Sequence, residues 1–588
     1  MAGSYVGFFL RYLKLLILKN QTLGGTVERM ARTQGSATCI RFGEQHISYE
    51  AFNRAANRRA NLFLSLGVRK GETVALLMEN RPEFVETLTG LAKLGAVAAA
   101  INTNLVGPAL IHCLNLSGAS RIVVGRECLP QLTDVLSRLA TIRADGVFVD
   151  SEAESRGAIP TGGHDLNAML SGASEARPPA IKLTSQDALM YIYTSGTTGL
   201  PKAARITHYR WVAAGLGMGN YCLAVEKDDV LYCALPLYHS NGALIALGSA
   251  FVNGAAFALS RRFSASRFWE EATRLEATCF IYIGELLRYL MNTPAGPADR
   301  THKVTRILGN GLRPDIWVPF QERFNIPHIR EFYASSEGNA VTVNLNDAAG
   351  SMGTPILKSS DNLAVVRFDV ETNAYLRDAN GFCQRTAPGE AGELLGQITF
   401  TTPFHGYTNP ADTEKKLLRD VFKKGDVFFK TGDLVKRDAA GNYYFVDRIG
   451  DTFRWKGENV ATQEVQEILS GFPGLHMINV FGVRVPGSEG RVGMAALMFD
   501  PDVKFSPERF FAYAEEHLPS YARPAFVRLV ENLEVTGTYK LKKTDLQMAG
   551  YDPSSVKDPL YVKDEEKKAF VRLTPALYAS VQAEKVRI

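Results

Sequence analysis

Residues 193–202 read YTSGTTGLPK and follow the apolar run Ala188-Leu189-Met190-Tyr191-Ile192. The side-chain hydroxyls of Thr194, Ser195, Thr197 and Thr198, the flexible Gly196 and Gly199, and the ammonium of Lys202 fall within ten positions. A hydroxyl-rich, glycine-punctuated segment leaving a buried strand can aim backbone N–H groups, side-chain O–H groups and one cation at a single anion. Phosphate is the obvious guest. The stretch is not a Walker A loop, because Leu200-Pro201 separates Gly199 from Lys202 where that loop runs Gly-Lys-Ser/Thr into a helix.

Further polar clusters follow in order: LPLYHSNG (235–242), GNGLR (309–313), EFYASSEGN (331–339), TGD (431–433), DRIGDTFRWKGEN (447–459) and TGTYKLKK (536–543). Any one of them reads equally as an ordinary loop. Together and in this order they resemble the motifs of the adenylate-forming superfamily, which contains acyl-CoA synthetases, luciferases and peptide-synthetase adenylation domains. The resemblance implies that Tyr193, Thr194, Ser195, Gly196, Thr197, Thr198, Gly199 and Lys202 cradle the phosphates of ATP. It puts His239 beside the substrate carboxylate, although the residue by itself is as readily a structural histidine. It sets Gly309, Asn310 and Gly311, together with Glu331, Phe332 and Tyr333, around adenine, with Tyr333 stacked on the base. Ser336 stands where relatives have threonine and keeps the hydroxyl. Glu337 and Thr194 become the metal-side groups, and a lone carboxylate suits Mg²⁺, which shares its coordination with phosphate oxygens and water. Asp433 accepts from the ribose hydroxyls, Arg448 matches the hinge arginine, and Gly457 lines the pantetheine tunnel for coenzyme A. Lys540 matches the catalytic lysine. Tyr539 replaces the usual glycine before it, so Lys542 and Lys543 stay open as alternatives, and Gly450 occupies a hinge position that many relatives fill with Asp or Lys.

The chemistry accounts for the set. Joining a carboxylate to the α-phosphate of ATP pushes two anions together, so cations and hydroxyls must neutralise charge and keep attack in line. Catalytic roles accordingly fall to Lys540, Glu337 and His239, with ATP, Mg²⁺ and coenzyme A as cofactor and co-substrates. IYIGELLRYLMN (281–292), RILGNGLRPDIW (306–317), EFYASSEGN and DRIGDTFRWKGEN are most similar to the very-long-chain acyl-CoA synthetase and fatty acid transport protein subfamily. That likeness implies a long or very-long-chain fatty acid–CoA ligase working through an acyl-adenylate. An adenylating enzyme serving a separate carrier protein and a fatty acid uptake protein with secondary ligase activity are the two other readings.

These side chains must be carried by layers. Strand-like and helix-like segments alternate over 37–180 (ETVALLME, PEFVETLTGLAKLG, AVAAAINTN, RIVVG, GVFVD) and resume at FIYIG and RILGNG, which predicts α/β layers with parallel strands. Short strands and turns over 363–402 predict an antiparallel piece. From 452 a new unit begins, with helices at TQEVQEILSGF and PERFFAYAEEHL and a last strand near FVRLV. The expected fold is α/β: a large multi-subdomain N-terminal domain with layered sheets, 31–447, a hinge at 448–451, and a small mobile α+β C-terminal domain, 452–588.

Composition is that of a globular protein, with 46% hydrophobic and 22% charged residues. A net charge of +5 gives no reason to invoke nucleic acid. Seven cysteines without a CxxC pair argue against a disulfide framework or zinc site. Residues 1–30 form a basic, apolar segment in which Arg11, Lys14 and Lys19 share one side of a helix and Phe9, Leu10, Leu13, Leu16 and Ile17 the other. It reads as a membrane-surface helix or as a helix packed on the protein itself, and as a peripheral attachment to the cytoplasmic side of a membrane. The stretch Ala243–Ser260 has a bilayer-spanning length, but Asn253-Gly254 predicts a turn between two buried elements. Oligomeric state stays open, a homodimer included.

Overall fold

The computed structural model describes residues 5–152, 157–194, 201–356, 362–456, 458–488, 490–533, 543–586 and 588. The chain divides into two compact units, Met1–Asp361 with Ile398–Leu417, and Asn362–Gln397 with Leu418–Ile588.

Two large sheets organise the first unit. The predicted strands Thr73–Leu77, Val97–Ala100, Arg121–Gly125 and Val147–Asp150 lie parallel in a seven-stranded sheet that also takes in Ala188–Thr194 and ends on the antiparallel edge strand Lys202–Thr207. Helices such as Pro82–Leu94 cover it. That helix is buried on nearly every face, and Gly95 ends it in the left-handed conformation. A nine-stranded sheet runs parallel through Thr38–Phe42, Ala256–Leu259, Val230–Cys233, Cys279–Ile283, Arg306–Asn310 and His328–Tyr333, with antiparallel strands at both edges. Carboxyl ends of parallel strands are where α/β sheets bind ligands, and the GNG and EFY motifs sit at two of them.

The Ala243–Ser260 stretch folds as anticipated: helix Leu247–Asn253 stops at Gly254, whose φ is +76°, and strand Ala256–Leu259 follows. Among the described residues no helix is long and apolar enough to cross a membrane.

The N-terminal helix, Tyr5–Leu18, departs from the simple two-faced picture. Phe8, Tyr12, Leu15 and Leu16 are buried in the main core, with Phe8 stacked on Tyr221 and the Tyr12 and Tyr209 hydroxyls 2.5 Å apart. Leu16 therefore belongs to the inward face, and Arg11 reaches back to Asn253 and the Val252 carbonyl. Val6, Phe9, Leu10, Leu13, Ile17 and Leu18 remain exposed. A helix apolar on nearly all sides docks with one stripe and presents another.

In the second unit, Leu363–Val366 and Gly392–Gln397 pair antiparallel, as predicted for 363–402, and Val427–Arg437 and Tyr443–Arg448, beyond the predicted stretch, extend the same sheet. A separate five-stranded sheet continues past the strand Phe526–Leu529, which the sequence reading took as the last. Leu560–Asp564 and Ala569–Arg572 join it and helix Pro575–Gln582 closes the chain. These strands are only four or five residues long and flank a charged turn, so they carry little periodicity. Each sheet of this unit has its own apolar core.

Candidate active site

Ala188–Thr194 and Lys202–Thr207 pair antiparallel with Thr194 opposite Lys202, so the two described ends of the hydroxyl-rich segment lie side by side. Ser195, Gly196, Thr197, Thr198 and Gly199 lie outside the described residues, as do Gly457 and Lys540. Tyr193 packs against the apolar cluster beneath the sheet. Lys202 forms an ion pair with Asp412 at 3.0 Å.

Asn80, just past the end of strand Thr73–Leu77, fixes the loop bearing His239. Its buried amide donates to the Leu235 and Ser260 carbonyls at 2.9 and 3.1 Å and accepts from the Leu237 N–H at 2.8 Å. Its neighbour Arg81 is anchored on the Asp150 carbonyl, 2.8 Å away, which holds Asn80 in place. After His239 the chain winds through a π-helical turn, Asn241–Ala246, a form concentrated at functional sites. Gly242 is needed there, since a Cβ would lie 2.3 Å from the Pro236 carbonyl oxygen.

Two side-chain bonds tie this loop to the next two motifs. Ser240 Oγ donates to Ser336 Oγ at 2.5 Å, and Asn241 Nδ2 donates to Asn310 Oδ1 at 3.0 Å. Asn310 ends strand Arg306–Asn310. Gly309 is demanded by packing, because a Cβ would meet the Tyr282 carbonyl oxygen at 2.3 Å, whereas Gly311, with φ +76°, has open space on its Cβ side.

Strand His328–Tyr333 divides its last three residues. Phe332 is buried in the core, Tyr333 is half-buried at the strand end, and Glu331 is buried. The Glu331 carboxyl accepts from the Leu312 N–H at 2.7 Å and the Tyr282 hydroxyl at 3.2 Å, and burial pushes its pKa up to about 8. Glu331 thus supports the GNGLR loop from beneath.

The turn carrying Ser336 and Glu337 is clamped by Arg210, whose guanidinium donates to the carbonyls of Ser335, Glu337 and Gly338 at 2.8, 3.2 and 2.5 Å. Glu337 in turn accepts the Tyr407 hydroxyl at 2.7 Å. No group of three or more His, Cys, Asp or Glu able to hold a metal occurs among the described residues. A single carboxylate beside a phosphate loop fits Mg²⁺, which completes its shell with phosphate oxygens and water.

In the second unit, Asp433 stands opposite Arg448 across two strands, with Arg448 Nε 3.9 Å from its carboxylate. Asp447 beside it accepts from the Thr462 N–H at 2.5 Å and the Thr452 hydroxyl at 3.1 Å. Lys543 donates to Thr462 Oγ1 at 2.5 Å and pairs with Asp451 at 3.4 Å, so this alternative to Lys540 is engaged by Thr462 and Asp451.

Asn80, Arg210, Ser240, Asn241 and Tyr407 escaped sequence reading. Ser240 and Asn241 directly follow His239 and were within reach; Arg210 and Tyr407 act from segments remote in sequence.

With the two layered sheets, the nucleotide-type loops at their carboxyl ends and a separate C-terminal sheet, the class is defined: the profile of the family described as "AMP-binding enzyme" matches residues 27–407, and the chain belongs to that family. It is 42% identical over 549 residues to long-chain fatty acid transport protein 2 of Rattus norvegicus, covering 92% of this chain and 87% of the relative. It is 38% identical over 542 residues to the medium/long-chain-fatty-acid–CoA ligase FadD6 of Mycobacterium tuberculosis, covering 92% and 88%. Among solved structures, anthranilate CoA ligase AuaEII in complex with anthranoyl-AMP superposes with a TM-score of 0.79 at 21% identity, covering 92% of this chain and 99% of that one. A Mycobacterium tuberculosis fatty acyl CoA synthetase gives 0.62 at 24%, covering 90% and 98%. Both share the fold.

Proposed function

We propose that this protein is an ATP-dependent long- or very-long-chain fatty acid–CoA ligase. In the first half-reaction a carboxylate oxygen attacks the α-phosphorus, the bond to the bridging oxygen breaks, and pyrophosphate leaves. In the second, the thiol of coenzyme A attacks the acyl carbonyl, AMP departs, and the thiol proton is released.

The observation that carries this reading is the linkage of His239, Ser336 and Asn310 through Ser240 and Asn241. It brings the acid-side loop and two nucleotide-side loops into one bonded frame, as adenylation of an acid requires. Thr194 and Lys202, at the ends of the phosphate loop, reduce repulsion between substrate and nucleotide. Glu337 and Thr194 would hold Mg²⁺, which when bound screens phosphate charge. Asp433 would accept from ribose, Tyr333 would stack on adenine, and Lys540 would serve the first half-reaction, with the Gly457 loop serving the second. The names and extent of similarity of the relatives support a long apolar acid.

The outward stripe of the N-terminal helix supports peripheral attachment to a membrane surface, where such an acid resides. Mass spectrometry of products formed from ATP, coenzyme A and acids of increasing length tests the reading. Acyl-CoA and AMP are expected from long acids. Acyl-adenylate that persists with coenzyme A present would favour a carrier-protein acceptor, and no ATP-dependent product would refute the ligase.

A further inference from the structure

Tyr407 lies outside every motif discussed so far, yet its hydroxyl meets the carboxylate assigned to the metal side, donating to Glu337 Oε1 at 2.7 Å.

The backbone fixes where that hydroxyl sits. Residues 406–408 run antiparallel beside the strand that leaves the phosphate loop: Arg205 N–H donates to the Gly406 carbonyl at 3.1 Å, Thr408 N–H donates to the Ala203 carbonyl at 3.0 Å, and Tyr407 bridges Ala204. Thr413 Oγ1 accepts the Tyr407 N–H at 2.9 Å. The following helix, Pro410–Glu414, carries Asp412, which pairs with Lys202. The segment is therefore registered against the strand that begins at Lys202. The Tyr407 side chain is itself buried, 7% exposed.

We propose that Tyr407 is a positioning residue for the Mg²⁺–nucleoside triphosphate centre, holding the Glu337 carboxylate in a fixed orientation. One carboxylate oxygen is occupied by the phenol, which orients the group and leaves the other oxygen for the cation. Without the phenol, the Glu337 carboxylate must be ordered anew each time Mg²⁺ and nucleotide bind, at an entropic cost. The inference rests on the adenylation reading above.

The test is calorimetric titration of the full chain with a nucleotide whose α,β-bridging oxygen is replaced by methylene, at a series of Mg²⁺ concentrations and without acid. Tyr407→Phe removes one oxygen and keeps the ring. A hydrogen bond to a charged group predicts that the half-saturating Mg²⁺ rises by about tenfold or more, while nucleotide binding without Mg²⁺ is unchanged. Glu337→Gln must weaken the same Mg²⁺ response, and the double variant must be no worse than the poorer single one, the mark of a shared contact. Coincident thermal unfolding of parent and Tyr407→Phe checks that the fold is kept; a Tyr407→Phe chain that unfolds early assigns the phenol to stability and overturns the proposal. A parent-like Mg²⁺ response in Tyr407→Phe, with Glu337→Gln impaired, overturns the role of Tyr407. A parent-like response in Glu337→Gln, or no nucleotide binding by the parent, overturns the adenylation reading instead.

Discussion

Glu331 makes folding stability depend on pH in a direction opposite to that of most carboxylates. Its pKa rises from the ordinary 4.5 to about 8 because burial penalises the charged form more than the Leu312 N–H and Tyr282 hydroxyl favour it. Between these values the unfolded chain has released the proton while the folded chain still holds it. The contribution is therefore full below pH 4.5, falls by about 1.4 kcal/mol per pH unit, and levels off above about pH 8. Glu331→Gln has the same shape as the protonated acid, still accepts through Oε1, and has no proton to lose. The variant should gain on the parent by roughly 3 kcal/mol between pH 5.5 and 8.5. Urea unfolding followed by tryptophan fluorescence reports mainly on the first unit, where Trp211 and Trp317 are fully buried. A constant gap between parent and variant across that range would mean that Glu331 is ionised at neutral pH, and the argument fails. Because the same carboxyl supports the GNGLR loop, the KM for ATP should be unchanged in Glu331→Gln below pH 8.

Asn80→Ala removes three hydrogen bonds to buried backbone groups, which at roughly 1 kcal/mol each predicts a loss of about 3 kcal/mol, and it should raise the KM for the acid more than that for ATP; urea unfolding and steady-state kinetics check the two parts. Lys540→Ala should block pyrophosphate release yet spare coenzyme A transfer from supplied acyl-adenylate; equal loss of both halves would remove Lys540 from its role. Replacing Leu10, Leu13 and Ile17 with Ser should release the protein from lipid vesicles in a flotation assay while soluble activity and unfolding midpoint stay close to those of the parent, since these side chains are exposed.

Most of the fold was legible because parallel α/β layers announce themselves through alternation. VALL, VAAA, RIVVG and GVFVD are short, apolar and separated by turn residues or helical periods, and each became a strand. The candidate site was legible as motifs, where polar residues are compressed into a few neighbouring positions, as at 193–202 and 331–339. It was not legible where geometry is made at a distance. Arg210 reads as a polar residue in a helix, and only the folded chain turns its guanidinium onto three carbonyls of the Glu337 turn. Glu331 sits in the adenine motif, but burial and its two donors assign it to loop support. The N-terminal helix misled for a different reason: with apolar residues on most of its sides, no period in the sequence distinguishes the stripe that meets Tyr209 and Tyr221 from the stripe left exposed.

The bonds from Ser240 to Ser336 and from Asn241 to Asn310 have a consequence for how acid specificity can vary in this protein. Ser240 and Asn241 follow His239 without a break, so under the proposed function any substitution that reshapes the loop assigned to the acid pulls on the loops assigned to phosphate and adenine. Asn80 limits such reshaping, since it pins the same loop at Leu235 and Leu237 and also holds Ser260 at the end of a neighbouring strand. Under the proposed function, altering residues 235–242 therefore trades acid fit against nucleotide alignment.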